Sequence, residues 1–248
     1  MGIQYQDIFT STDVGKMKEH VSYLLQLLPK QTLDRKHIDT ILIEKTHWFR
    51  RGVTYSNMLD TNLFPQGPLT GDIAQAASHF SLPWGMTNMK DNNPYANIIT
   101  MYLPIETYPI HVVDIYLAYV FFHEIGHIYS NAAYFSLYYA KKFLGIEELA
   151  DKRNSYTLTL PNGNQVSGNE YVEGFASLAV QYGTFGSYTA GYSKDNDEDL
   201  WLRESFADAT AAYFMGFMMY PEKNFAPLYP EVQRYIHDFY HAVASIER

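Results

Sequence analysis

The sequence predicts an α+β chain, rich in helix, with a small sheet in its N-terminal half. Two short β-branched runs, Ile38–Ile43 and Ile98–Leu103, read as strands. From Ile110 to about Tyr139 the pattern is helical and apolar nearly all round, which marks a buried central helix. Further helical stretches fill the C-terminal half. The 248 residues suit one large domain or two small ones, and a 47% hydrophobic content is enough to bury a core.

Val14, Met17, Val21, Leu24, Leu25 and Leu28 fall at helical spacing, with Ser11-Thr12-Asp13 as caps and Pro29 as the stop. Residues 44–97 are rich in Gly, Pro and Asn and offer at most a short helix over Ile73–Phe80. Pro104 closes the second strand. Thr157-Leu158-Thr159-Leu160 followed by Pro161-Asn162-Gly163-Asn164 predicts a hairpin. Helices follow at about 169–182, 198–219 and 229–246, with a Gly/Ser/Tyr loop over Gly183–Asn196.

Composition removes several function classes. The 18 basic residues against 27 acidic give a net charge of −9, the wrong sign for a protein built around a phosphate backbone, so no nucleic-acid partner is expected. Zero cysteines exclude disulfides, thiolate metal sites and a Cys nucleophile. Val112–Phe122, the most apolar stretch, contains Asp114 and falls short of the roughly 18–20 apolar residues of a membrane span. The first residues carry neither a basic nor an apolar run, so no signal peptide is expected and the chain reads as soluble. The 22 tyrosines fit an aromatic cleft or surface.

His123-Glu124-Ile125-Gly126-His127 is the sharpest signal in the chain. On a helix, residues four apart share a face, so the two imidazoles can converge on one ion. Glu124 points about 100° away from His123, where a carboxylate can take a proton from the attacking water. Two histidines and a glutamate on a buried helix with no ion would be costly polar burial. Gly126 leaves room for a neighbouring element to approach closely. Neutral imidazoles without a thiolate make zinc the expected metal.

A catalytic site needs a third protein ligand. Two downstream segments offer one, Glu173-Gly174-Phe175-Ala176-Ser177 and Glu204-Ser205-Phe206-Ala207-Asp208. Both place a Glu before a run that lets a helix pack close to the first. Only the second has a carboxylate four residues on, and Asp208 can receive the remaining N–H of a ligating His. Glu204 is therefore preferred over Glu173. His237 and His241 form another such pair, but Val232, Tyr235, Ile236, Phe239 and Val243 claim the buried face of that helix, which leaves the histidines in solvent.

His-Glu-x-x-His with a downstream Glu-x-x-Ala-Asp resembles the gluzincin metallopeptidases. The stretch Arg203–Val243 resembles more narrowly the catalytic domain of anthrax lethal-factor-like peptidases, the group that includes the Pro-Pro endopeptidases. It carries Glu204-Ser205-Phe206-Ala207-Asp208-Ala209, Tyr213-Phe214, Tyr220-Pro221-Glu222-Lys223, Ala226-Pro227 and Tyr235-Ile236. Ile98–Ile105 fits the strand expected before the zinc helix, and the likeness covers roughly residues 98–130 and 200–243. It implies a zincin-like metallopeptidase domain with His123, His127 and Glu204 on zinc and Glu124 as general base. It also implies a Tyr before the third ligand that hydrogen-bonds the oxyanion. Tyr192 is the nearest, with Tyr188 and Tyr182 as alternatives.

The expected organisation is a single catalytic domain over 1–248. An N-terminal helix and sheet occupy 1–109, the zinc helix 110–139, an inserted or connecting region 140–197, and the third-ligand and C-terminal helices 198–248. The expected reaction is hydrolysis of a peptide bond in a peptide or protein substrate, bound extended along Ile98–Leu103 as an edge strand. Two other readings stay open: a non-catalytic zinc-binding interaction module, and a regulatory metalloprotease that cleaves a repressor. The sequence does not define an oligomeric state.

Overall fold

Parallel strands need long connections, and the three parallel strands of the main sheet are widely spaced in the chain. The four strands of that sheet are β1 (Gly2–Tyr5), β2 (Ile38–Lys45), β3 (Met86–Met89) and β4 (Asn97–Leu103), in the spatial order β1-β2-β4-β3. β1 pairs parallel with β2, with Ile3 opposite Ile41, and β2 pairs parallel with β4, with Ile41 opposite Ile99. β3 runs antiparallel to β4, with Met86 opposite Thr100. The computed structural model describes residues 2–5, 19, 21–30, 38–45, 86–89, 97–103, 110–135, 146–182, 195, 198–215 and 228–243. The helix expected over 73–80 lies outside them, as do Val14 and Met17 of the first helix. Residues 21–26 are helical, and Val21, Leu24, Leu25 and Leu28 are buried.

The α+β class holds, but Ile98–Leu103 is not an edge strand. β4 has β2 on one side and β3 on the other, and β3 is the outer strand on that side among the described residues. The run Asn-Ile-Ile-Thr-Met-Tyr-Leu lacks the clean alternation of a half-exposed strand, as suits one inside a sheet. Its neighbour Met-Thr-Asn-Met is short, as edge strands tend to be, and lies in a stretch whose Gly, Pro and Asn content conceals it.

Helix α1 (Ile110–Ala132) lies on β4 and β3 and packs along a later helix, α4 (Glu198–Ala212). It stops short of the expected Tyr139. Tyr134 adopts φ 57°, and the Phe135 and Tyr134 N–H groups donate to the carbonyls of Ser130 and Asn131 at 2.9 and 3.0 Å. This is a Schellman stop with a tyrosine where glycine is usual, and Phe135 drops into the core behind it. Three successive carbonyls beyond the stop are also held. Tyr156 Oη donates to Ala133 O at 2.7 Å, while Arg153 Nε and Nη2 donate to Tyr134 O and Phe135 O at 2.6 and 2.8 Å. The guanidinium thus sits where the helix dipole favours a cation.

Arg153 belongs to α2 (Ile146–Asn154), which has no strong periodicity in the sequence. The predicted hairpin follows as β5 (Thr157–Thr159) and β6 (Gln165–Ser167), with Gly163 at φ 85° in its loop. Helix α3 (Gly168–Tyr182) opens with a capping box: Glu170 accepts from the Ser167 N–H at 3.0 Å, and Ser167 Oγ accepts from the Glu170 N–H at 3.3 Å. The last helix, α5 (Pro230–Ala242), starts at a proline and buries Val232, Ile236, Phe239 and Tyr240. Phe135, Phe175, Phe206 and Phe239 meet at ring separations of 4.7–6.0 Å, joining the end of α1 to α3, α4 and α5. No helix among the described residues is long and apolar enough to cross a membrane.

Candidate metal centre

The centre forms where α1 and α4 come closest. A Cβ on Gly126 would lie 2.6 Å from Ala207 Cα and 3.2 Å from Thr210 Cβ, so only glycine permits the approach. That crossing sets His123 and His127, one turn apart on α1, against Glu204 on α4.

His123 Nε2, His127 Nε2 and Glu204 Oε2 make a triangle with edges of 3.1, 3.2 and 3.3 Å. A tetrahedral ion with bonds of about 2.0 Å sets its donor atoms roughly 3.3 Å apart, so the three atoms fit one face of such a shell. Glu204 Oε2 is buried and, among the described residues, faces only the two imidazole nitrogens, an arrangement that a cation would fill. The three residues lie close enough to bind a metal ion.

The surroundings orient these ligands. Asp208, fully buried one turn along α4, accepts at Oδ1 from His123 Nδ1 at 2.9 Å and from Tyr119 Oη at 2.7 Å. A carboxylate only accepts, so the His123 proton sits on Nδ1 in the neutral ring and the Nε2 lone pair faces the triangle. Arg203 Nη2 stands 3.3 Å from Glu204 Oε1, on the oxygen that does not face the histidines. Burial disfavours a charged His123, but Asp208 and Glu204 outweigh it and push its pKa from 6.5 up to about 10 when no ion is bound. Burial likewise pushes Glu204 up, yet the two imidazoles hold it well below the usual carboxylate range.

Glu124 is buried on α1 beside His123. Glu173, the competing ligand, is exposed on α3 and outside the cluster. Tyr182 ends α3 stacked on Tyr229 at 4.1 Å. Tyr188 and Tyr192 lie outside the described residues. His241 is exposed and His237 half-buried, on the flank of α5.

No family model, curated protein or solved structure matches this chain.

Tyr119 and Arg203 escape the sequence reading. Tyr119 precedes His123 by the same four-residue step that separates the two histidines, and that step is the signal that could have found it. Arg203 has only its adjacency to Glu204.

Proposed function

We propose that this chain is a zinc-dependent endopeptidase, a single catalytic domain whose centre is of the gluzincin kind and similar to that of lethal-factor-like peptidases. The observation that carries the reading is the three-donor set His123, His127 and Glu204. Catalytic zinc takes three protein ligands and keeps a fourth position for water or substrate, whereas structural zinc is closed by four. Among the described residues no fourth His, Cys, Asp or Glu joins the cluster. When bound, zinc polarises a carbonyl and makes water a nucleophile near neutral pH.

The remaining steps belong to the protein. Asp208 keeps the His123 ring in the tautomer that offers Nε2 to the centre. Arg203 neutralises the outer oxygen of Glu204 and leaves the inner one for the ion. Glu124, beside the ligands on the same helix, accepts a proton from the attacking water and returns it to the leaving amine. A tyrosine hydroxyl, assigned by the resemblance to Tyr192, donates to the developing oxyanion. Substrate adds as an extended strand to β3, whose outer edge pairs with no strand among the described residues and whose inner neighbour β4 lies on α1.

The test pairs metal analysis with a peptide-library cleavage assay read by mass spectrometry. Wild type is expected to hold about one zinc per chain and to cleave. Glu124→Gln is expected to keep the zinc and lose roughly 10²–10⁴-fold in kcat/KM, the range of a lost general base. Full activity in Glu124→Gln would falsify the role. Wild type that holds zinc yet cleaves nothing and binds no hydroxamate would make this a non-catalytic metal domain.

A further inference from the structure

Tyr119 is 1% exposed, and its hydroxyl donates to the same Asp208 oxygen that receives His123 Nδ1–H. Its ring lies over the His123 ring, with centroids 5.9 Å apart and planes 27° apart. We propose that Tyr119 is a positioning residue of the metal centre, acting on His123 through Asp208; this rests on the metal reading above.

The physical case starts from Asp208. A fully buried carboxylate can turn about its last side-chain bond and offer either oxygen, or tilt so that neither meets the imidazole well. The Tyr119 hydroxyl, 2.7 Å from Oδ1, fixes which oxygen faces α1 and at what angle. The same donor draws charge from that oxygen and leaves His123 Nδ1–H a fixed, moderately basic acceptor. Because Tyr119 and His123 are one turn apart on α1, both donors are carried by one rigid element, and the shared oxygen is carried by the other. The hydroxyl therefore ties the ligand face of α1 to α4 at a second point, one turn below the triangle. Without it, Asp208 keeps His123 as a partner but loses the second donor on the oxygen that the imidazole uses.

Such outer partners are typically worth about ten- to a hundredfold in metal affinity. The full chain is loaded with zinc or cobalt(II), the zinc dissociation constant is measured by chelator competition, and the visible cobalt spectrum is recorded. Tyr119→Phe is expected to weaken zinc roughly ten- to a hundredfold and to shift the cobalt bands, because the His123 donor geometry changes. Tyr119→4-aminophenylalanine keeps a donor at the same ring position and is expected to restore both; it also serves if the Phe variant does not fold. In an Asp208→Asn background, adding Tyr119→Phe is expected to change zinc affinity by less than about twofold, since the route through the carboxylate is already cut. Wild-type affinity and cobalt spectrum in Tyr119→Phe overturn the proposal, as does an equal loss in both backgrounds. A change confined to the melting temperature of the metal-free protein also overturns it, as that is what a merely structural hydroxyl would give. Wild type that binds no zinc brings down the metal reading itself, a result separate from any failure of Tyr119.

Discussion

In the metal-free protein burial opposes a charge on His123, yet Asp208 and Glu204 hold a proton there well past neutrality. Taking up an ion must displace that proton from Nε2, so metal affinity is linked to pH. Below the His123 pKa of about 10, the free site is the protonated one. Raising pH removes the competitor, and the sign is therefore toward tighter binding at higher pH. Between pH 6 and 8 the zinc association constant should rise about tenfold per unit if a single proton is displaced. Chelator competition across that range checks it, and a flat profile would mean that His123 is already neutral in the free protein. At this scale much of the centre was legible. The four-residue spacing brought His123 and His127 to one face, and Asp208, one turn after Glu204, separated Glu204 from Glu173. Part of what was not legible acts across the gap between helices: nothing local to Tyr119 says that the other helix presents a carboxylate to it. For Arg203, adjacency alone does not say that the guanidinium turns toward Glu204.

At the scale of elements, the close crossing of α1 and α4 does most to build the centre. Gly126 was readable as a point of close approach, and the run after Glu204 as one of two that could pack against it, but not that Ala207 is the residue it meets, because periodicity gives a helix its face and not its neighbour. Gly126→Ala would put a Cβ 2.6 Å from backbone, so the helices must part. The expected cost is about 1–3 kcal/mol of stability, as for other overpacked cores, with zinc binding lost because the triangle spans the crossing. Gly174→Ala is the control. On α3 its Cβ would meet, among the described residues, only the Tyr235 ring, at an ordinary 3.9 Å. Removing a helix-interior glycine there should stabilise by about 0.5–1 kcal/mol and leave metal binding unchanged. Chemical denaturation with chelator present, alongside zinc titration, reads both; a destabilised Gly174→Ala or a zinc-binding Gly126→Ala would contradict the crossing geometry. The helix boundaries show the same limit of sequence. The apolar pattern of α1 continues past Ala132, and the stop comes from Tyr134 in a left-handed conformation, with Arg153 and Tyr156 from later elements holding the carbonyls beyond it. The sheet repeats the lesson: β2 and β4 announce themselves by β-branching, while β1 and β3 are strands because of what they lie beside.

Across the whole molecule the abundance of tyrosine finds a structural use. A cleft or a surface was the expected place for it, yet Tyr119, Tyr129, Tyr171 and Tyr240 are buried among the described residues. A buried phenol needs a partner for its hydroxyl, and long-range pairs supply several. Tyr171 and Tyr235 each donate to the other's backbone carbonyl, at 2.8 and 2.5 Å, which ties α3 to α5. Tyr240 shares a hydrogen bond of 3.1 Å with Thr210, which ties α5 to α4. Desolvation raises the pKa of Tyr171 and of Tyr240 well above 10, so the fold keeps both neutral where the unfolded chain would ionise them. Above pH 10 the unfolded state therefore binds fewer protons than the folded one, and stability must fall as pH rises. This contribution is fully present below pH 10 and is lost as pH climbs toward the folded values. For the pair the slope is about 2.7 kcal/mol per pH unit, two protons' worth. Denaturant midpoints measured from pH 8 to 11.5 should hold steady and then drop steeply. Phenolate absorbance from the buried set should appear only with unfolding. Ionisation of every tyrosine near pH 10 with the fold intact would show that these hydroxyls are open to solvent, and that the α3–α5 and α4–α5 ties do not hold.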